Sequence, residues 1–298
     1  MSFQVETALV QAYKSNIEIQ FQQKGSRLRD TVMIESQNAE YEYYDRIGPT
    51  DAVEVTNRHG DTPLISTPHS RRRIATKDYD WADMIDKRDK LRMLADPTSS
   101  YTRNAVWAFG RKLDDAIIVA GLGSAFTGKT GSTEVTWDSN QNIAVNYVES
   151  GAAANSNLTI GKLRRAQFLF YSQETVEEDE EIFCVITASQ LQGLLRTTEV
   201  TSADYNTVKA LVKGDINTFM GFTFKRTQRL TTSSSATVRD VLFYPRSAIT
   251  VGMADEVNVD VGPRRDKRNS IQVYVSATFG AVRMWEEKIV RAYCDETT

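Results

Sequence analysis

The chain has 298 residues, 41% of them hydrophobic and 25% charged, and a formal net charge of −3. Such a length holds one large domain or two small ones and supports a core of useful size, while the near-neutral balance argues against a dedicated nucleic-acid binder, which carries a basic excess. No stretch reaches the ~18 apolar residues of a membrane span, and the opening MSFQVETALV lacks the basic start and long apolar segment of a secretory leader, so the expectation is a protein made in cytoplasm with no membrane partner.

Residues Gln4–Gln23 predict an amphipathic helix. Val5, Leu9, Tyr13, Ile17 and Phe21 recur at every fourth position as one apolar stripe, and Gly25 ends it. With no core sequence around it, this helix needs a surface, and a neighbouring copy can supply one. Met33–Tyr79 then predicts a long projecting β-hairpin. It is rich in tyrosine (Tyr41, Tyr43, Tyr44), punctuated by Gly48-Pro49 and His59-Gly60-Asp61, and carries Arg71-Arg72-Arg73 on its return strand. Strand alternation sends Arg71 and Arg73 to one face and Arg72 to the other. Resting on another subunit, the arm would meet acids such as Asp83, Asp86, Asp89 or the Glu177–Glu181 run.

Asp80–Ala95 is charged and predicted to be helical in part. Asp96 as N-cap and Pro97 at the first turn open the longest helix, 97–120, with Tyr101, Ala105, Phe109, Leu113, Ile117 and Ala120 on its stripe and Gly121 and Gly123 after it. Thr133–Trp137 and Ile143–Val148 predict a small hairpin. A helix follows at Leu158–Thr175, capped by Thr159, then a buried strand at Ile182–Ile186, a short helix at Ser189–Arg196 capped by Ser189, and a helical stretch at Asp204–Val212. Phe222–Arg226, Arg239–Tyr244 and Ala248–Val251 read as strands, and Asn269–Phe279 and Arg283–Cys294 as two closing strands across a turn at Gly280. This is an α+β chain without βαβ alternation. It divides into an arm (1–32), the hairpin (33–80), a region holding the long helix (81–150), a helix-and-strand domain (151–252) and closing strands (253–298).

Catalytic signatures are sparse. Gly123–Thr130 matches the phosphate-binding loop G-x-x-x-x-G-K-[ST] letter for letter. That chemistry needs a strand before the loop and a helix after it, so that free N–H groups hold the phosphates. Here a helix precedes and strand-forming residues follow, so a nucleotide hydrolase is a remote alternative and Lys129 is expected to be exposed. Asp114 and Asp115 lie about 100° apart on a helix and cannot share a substrate proton. Cys184 and Cys294 form no paired motif and read as reduced thiols. His59 and His69 read as solvent-facing. The Glu177–Glu181 run lacks the spaced pattern of a calcium loop, and Arg264-Arg265-Asp266-Lys267-Arg268 is the densest basic patch. No catalytic, cofactor-binding or metal residue is assigned, and no cofactor is expected.

The order of arm, polar hairpin, long helix, mixed domain and closing strands resembles the major capsid proteins of tailed bacteriophages. Ala210–Leu230 (ALVKGDINTFMGFTFKRTQRL) resembles that family's stretch leading into its "mGf.f..t..l" strand, and Val275–Cys294 (VSATFGAVRMWEEKIVRAYC) resembles its closing "GA.R" segment. The resemblance spans nearly the whole chain, on core and turn features of modest specificity. It implies a Hong Kong 97-type fold: N-terminal arm, extended hairpin or E-loop, peripheral domain with a spine helix, and axial domain. It implies a non-enzymatic subunit of an icosahedral virion shell, assembled in the host cytoplasm as hexamers and pentamers around double-stranded DNA, which it touches non-specifically. Its implied partners are itself, a scaffolding protein, a portal and a decoration protein. The encapsulin compartments share the fold and are the alternative. Arg71, Arg72, Arg73, Tyr41, Tyr43, Val5, Leu9, Ile17 and Phe21 are the expected inter-subunit contacts.

Overall fold

The computed structural model describes residues 22–54, 56, 60–62, 64–85, 98–177, 179–196, 218–233 and 235–297. The N-terminal helix, the Asp96-Pro97 cap and the Asp204–Val212 helix lie outside them. Contacts divide the chain into two units whose segments interleave along the sequence, unlike the consecutive spans read above: Met1–Ser26, Asp78–Lys112 and Asp255–Thr278 form one, the rest the other.

The larger unit is centred on a six-stranded sheet. Its strands are β7 (Asn142–Ile143), β8 (Ile182–Ile186), β9 (Thr218–Phe219), β10 (Phe222–Arg226), β11 (Val238–Pro245) and β14 (Val290–Asp295), in the order β7-β14-β11-β8-β10-β9. Strand β8 is buried at all five positions, as its unbroken apolar run requires. Two helices pair with this sheet's core, α2 (Ile160–Ser172) and α3 (Ala188–Arg196). Leu163, Ala166 and Phe170 on α2 and Leu194 on α3 join Cys184, Phe222, Phe243 and Val290 in one apolar cluster. Thr159 caps α2 as expected, accepting from the Lys162 N–H. At α3 the reciprocal partner differs from the sequence reading. Gln190 reaches back to the Thr187 N–H at 2.6 Å, so the helix is stapled at Thr187 rather than at Ser189.

A second sheet of this unit has the order β2-β3-β5-β6, from Tyr41–Ile47, His69–Ala75, Ala125–Thr127 and Thr133–Val135. Strand β1 (Met33–Ser36) is not part of the hairpin. It pairs in parallel with residues 250–253 of β12 (Ile249–Arg264), and the Gln37 side chain donates to the Ala39 and Glu40 carbonyls where the chain turns away. The hairpin proper is thus β2–β3. The predicted 133–148 hairpin does not form either: β6 pairs with β5, and β7 pairs in parallel with β14. Between them Asp138 accepts the Asn140 N–H and closes a short turn.

The smaller unit contains the first part of α1 (Thr98–Leu122), β4 (Lys77–Ile85), and the outer lengths of β12 and β13 (Ser270–Arg283), with β13 between β12 and β4. The charged stretch from Asp80 is therefore strand, not helix, as far as Ile85. Its exposure alternates, with Tyr79, Trp81, Asp83 and Ile85 on the covered side. Tyr274 and Thr278 hydroxyls donate to Asp80 and Asp78 across the ladder. Strand β12 is far longer than the Ala248–Val251 strand expected. Strand β13 runs through Gly280, with the reversal placed at 284–289. A Cβ at Gly280 would overlap the Ala75 carbonyl, so this glycine permits a close backbone approach rather than a turn.

Candidate functional site

The phosphate-loop signature folds into a hairpin. Ala125–Thr127 and Thr133–Val135 pair antiparallel, Gly131 donates to the Gly128 carbonyl at 3.0 Å, and both glycines take positive φ. A helix precedes and a strand follows, and Lys129 is exposed. No helix N-terminus is available to hold phosphate. Asp114 and Asp115 also have separate tasks. Buried Asp114 accepts the Arg27 and Leu28 backbone N–H groups at 3.1 Å, and Asp115 chelates the Arg229 guanidinium with two bonds of 2.5 Å. Both cysteines are free and buried, and burial pushes the Cys294 thiol up to about 12, which makes it unreactive. His69 is exposed; His59 is outside the described residues. Among the described residues, no group of three or more histidine, cysteine or carboxylate side chains is placed to hold a metal.

The hairpin is where the sequence-predicted surface residues meet. Register sets Tyr43 against Arg73, Tyr44 against Arg72 and Asp45 against Arg71. On the outer face the Arg71 Nε donates to Asp45 at 2.6 Å, and its guanidinium sits 5.6 Å from the Tyr43 ring centroid. Arg73 lies between Tyr41 and Phe126, at 4.9 and 4.7 Å from their centroids. Tyr41 and Tyr43 are 44% and 38% exposed. Gly131, with φ +61°, lets this layer close, since a Cβ there would stand 2.6 Å from Arg73 Cδ.

Arg72 points the other way and is fully buried. It donates to Glu286 at 2.5 Å and to the Met284 carbonyl at 3.3 Å. Glu286 also faces Arg283 at 3.6 Å and Arg46 at 3.8 Å. Arg283 in turn donates to the Gly121 and Gly123 carbonyls and lies over Trp137, while Arg46 lies over Trp285. Burial lowers the pKa of Arg283, opposed by Glu286, and burial with neighbouring Arg72 lowers that of Arg46. Three guanidinium groups around one carboxylate thus tie the base of the hairpin to the 284–289 reversal. The expectation that all three arginines of the cluster face a neighbour is corrected for Arg72, whose partners are in its own chain. The alternation of β3 already indicated that Arg72 would part company with Arg71 and Arg73. Val5, Leu9, Ile17 and Phe21 lie outside the described residues.

Lys162 was not singled out by the sequence. It is fully buried on α2, and its ammonium donates to the carbonyls of Val145, Ser156, Asn157 and Tyr293 at 2.7–3.1 Å. A lysine on an amphipathic helix reads as solvated; only the tertiary path of the 145–157 connector reveals its role.

The phage capsid protein family model matches residues 5–296. The chain belongs to the phage capsid protein family. No curated protein matches it. Among solved structures, this capsid protein is similar to the cyanophage Pam1 capsid at 14% identity, covering 97% of each chain, with TM-score 0.72. It is similar to the capsid of cyanophage P-SCSP1u at 14% identity, covering 97% of this chain and 94% of that one, with TM-score 0.72. The acid-stable capsid of Helicobacter pylori bacteriophage KHP30 follows at 9% identity, covering 99% and 98%, with TM-score 0.70. At such identities the likeness is one of fold, the Hong Kong 97-type α+β capsid fold.

Proposed function

We propose that this capsid protein is the subunit of an icosahedral virion shell, built from hexamers and pentamers in the host cytoplasm and closed around double-stranded DNA. A scaffolding protein, a portal and a decoration protein are its expected partners in that pathway. The carrying observation is the hairpin arm. Between Gly48 and Pro68 its tip exposes Val53 (55%), Leu64 (98%) and Ile65 (48%), beside Ile47 at 63%, with too little of its own surface to cover them. Such an arm gains burial by lying on a neighbour, and heterologous contacts of this kind close into rings. In this reading the β2–β3 hairpin, within the span 33–80 first read, acts as the E-loop. The spine helix at 97–120 belongs to the peripheral domain (81–150), and 151–252 forms the axial domain. Residues 253–298 return through the peripheral domain. Tyr41, Tyr43, Arg71 and Arg73, with Val5, Leu9, Ile17 and Phe21 of the arm, contact adjacent subunits. Weak contacts suffice, because avidity multiplies them. Electron microscopy and sedimentation of the purified chain, alone and coexpressed with its scaffold, test this. Closed shells or capsomer rings are expected, and a stable monomer under all salt conditions would overturn it.

A further inference from the structure

We propose that the basic tip of the β12–β13 hairpin docks in an acidic groove on a second copy of this chain. The inference rests on the capsid reading, since it needs a chain that meets its own copies.

The tip is Arg264–Arg268, with Arg268 and the following Asn269 in left-handed backbone at φ +52° and +58°. Arg264 is held internally by Asp266 at 2.6 Å and by Gln272 at 3.3 Å. Arg265, Lys267 and Arg268 are exposed; Arg265 and Arg268 have no partner among the described residues, and Lys267 has only the charge of neighbouring Asp266, which is itself bonded to Arg264. Val257, Val259 and Val261 lead up to them along β12, 42%, 38% and 44% exposed. Two-residue periodicity sets all three on one face. The tip therefore offers three exposed cations, none held by a hydrogen bond, beside an apolar stripe.

The groove is complementary in both respects. It has a volume of about 650 Å³ and sets four acids, Asp30, Asp179, Glu180 and Glu181, against one cation, Arg246, with Met33 and Ile34 among its apolar lining. Met33 and Ile34 are 41% and 38% exposed. Glu180 is engaged by Lys288 at 3.7 Å and by the Ser247 N–H, and Glu181 by the Thr223 hydroxyl. Asp30 and Asp179 are exposed and lack partners among the described residues. Two free carboxylates over an exposed apolar floor match free cations beside an exposed valine stripe. A nucleic acid fits the tip less well, because the exposed stripe of Val257, Val259 and Val261 beside the cations has no counterpart in a phosphate backbone. Because tip and groove are different surfaces, the contact is heterologous and can propagate around a ring. Opposed charge sets its register and speeds encounter.

Charge reversal tests it. Arg265→Glu with Lys267→Glu, or Asp30→Lys with Asp179→Lys, should lower the assembly rate by about tenfold or more while the circular dichroism melt stays that of the wild type. The four substitutions together in one chain should restore assembly. Independently, chains carrying Asp179→Cys mixed with chains carrying Lys267→Cys should form a disulfide-linked heterodimer on assembly. The buried Cys184 and Cys294 do not compete. If the wild type assembles, the reversals assemble as fast and no cross-link forms, this docking is overturned and the capsid reading stands. If the tip reversal assembles normally and loses only nucleic acid from its particles, the tip serves nucleic acid and the docking is again overturned. A wild-type chain that never leaves the monomer overturns both.

Discussion

Removing the Arg72 side chain would leave Glu286 without its shortest partner, in a place where neither can be rehydrated. The two side chains are 0% and 15% exposed, and breaking a buried pair costs roughly 3–5 kcal/mol. Arg71 and Asp45 form an equally short bond, yet at 40% and 66% exposure such a pair contributes only about 0–1 kcal/mol. Urea unfolding should therefore separate Arg72→Met from Arg71→Met by most of the larger figure. Equal midpoints would mean that Arg72 is not buried against Glu286. Asp240 gives a prediction in pH. Burial raises its pKa, opposed by Arg291 and by the Thr231 hydroxyl at 3.2 Å, and its Oδ1 has no hydrogen-bond partner. With the folded value raised, the group favours folding when protonated. That contribution is complete below the ordinary aspartate value of ~3.9 and is lost as pH rises through the raised value. The melting midpoint of Asp240→Asn should match the wild type near pH ~3 and exceed it increasingly as pH passes the aspartate range. Parallel midpoints across that range would show that Asp240 is solvated.

Helices and central strands were legible because their signals are periodic and local. Ala105, Phe109, Leu113 and Ile117 are all buried at four-residue spacing on α1, and Ile182–Ile186 is buried throughout. What was not legible depends on partners remote in sequence. Asp78–Ile85 alternates weakly and carries three acids that suggest a solvated helix, yet β13 supplies a neighbouring strand. The outer half of β12 exposes every residue from Ala254 to Val261, so no core pattern marks it. Gly280 looked like a turn because glycine punctuates loops, but the constraint comes from Ala75, far away in sequence. Gly280→Ala should push β13 from the 75–76 backbone and cost roughly 1–3 kcal/mol as overpacking, read as a lower thermal midpoint. An unchanged midpoint would put the turn back at Gly280. At the hairpin, alternation correctly separated Arg72 from its neighbours; the identity of Glu286 as its partner was beyond any spacing argument.

At the scale of the molecule, folding and assembly place different demands on the same arm. The hairpin is fixed at its base by the Glu286 cluster and closed at Gly48, whose N–H donates to the Pro68 carbonyl at 2.9 Å. The described residues between those two lie beyond the last ladder contact of β2 and β3. Replacing residues 49–67 by Asn-Gly would join the strands with a two-residue turn suited to their twist. It would also shorten the loop whose closure opposes folding. The variant should therefore fold with an unchanged circular dichroism spectrum and no loss of thermal midpoint. Its assembly should fail, because Val53, Leu64 and Ile65 are removed, and these are the exposed apolar residues with which the arm would grip a neighbour. Electron microscopy should show monomers or isolated rings where the full chain forms closed shells. Closed shells from the shortened chain would mean that the arm's tip makes no contact the shell depends on, and that the grip resides at Tyr41, Tyr43 and Arg73 near its base.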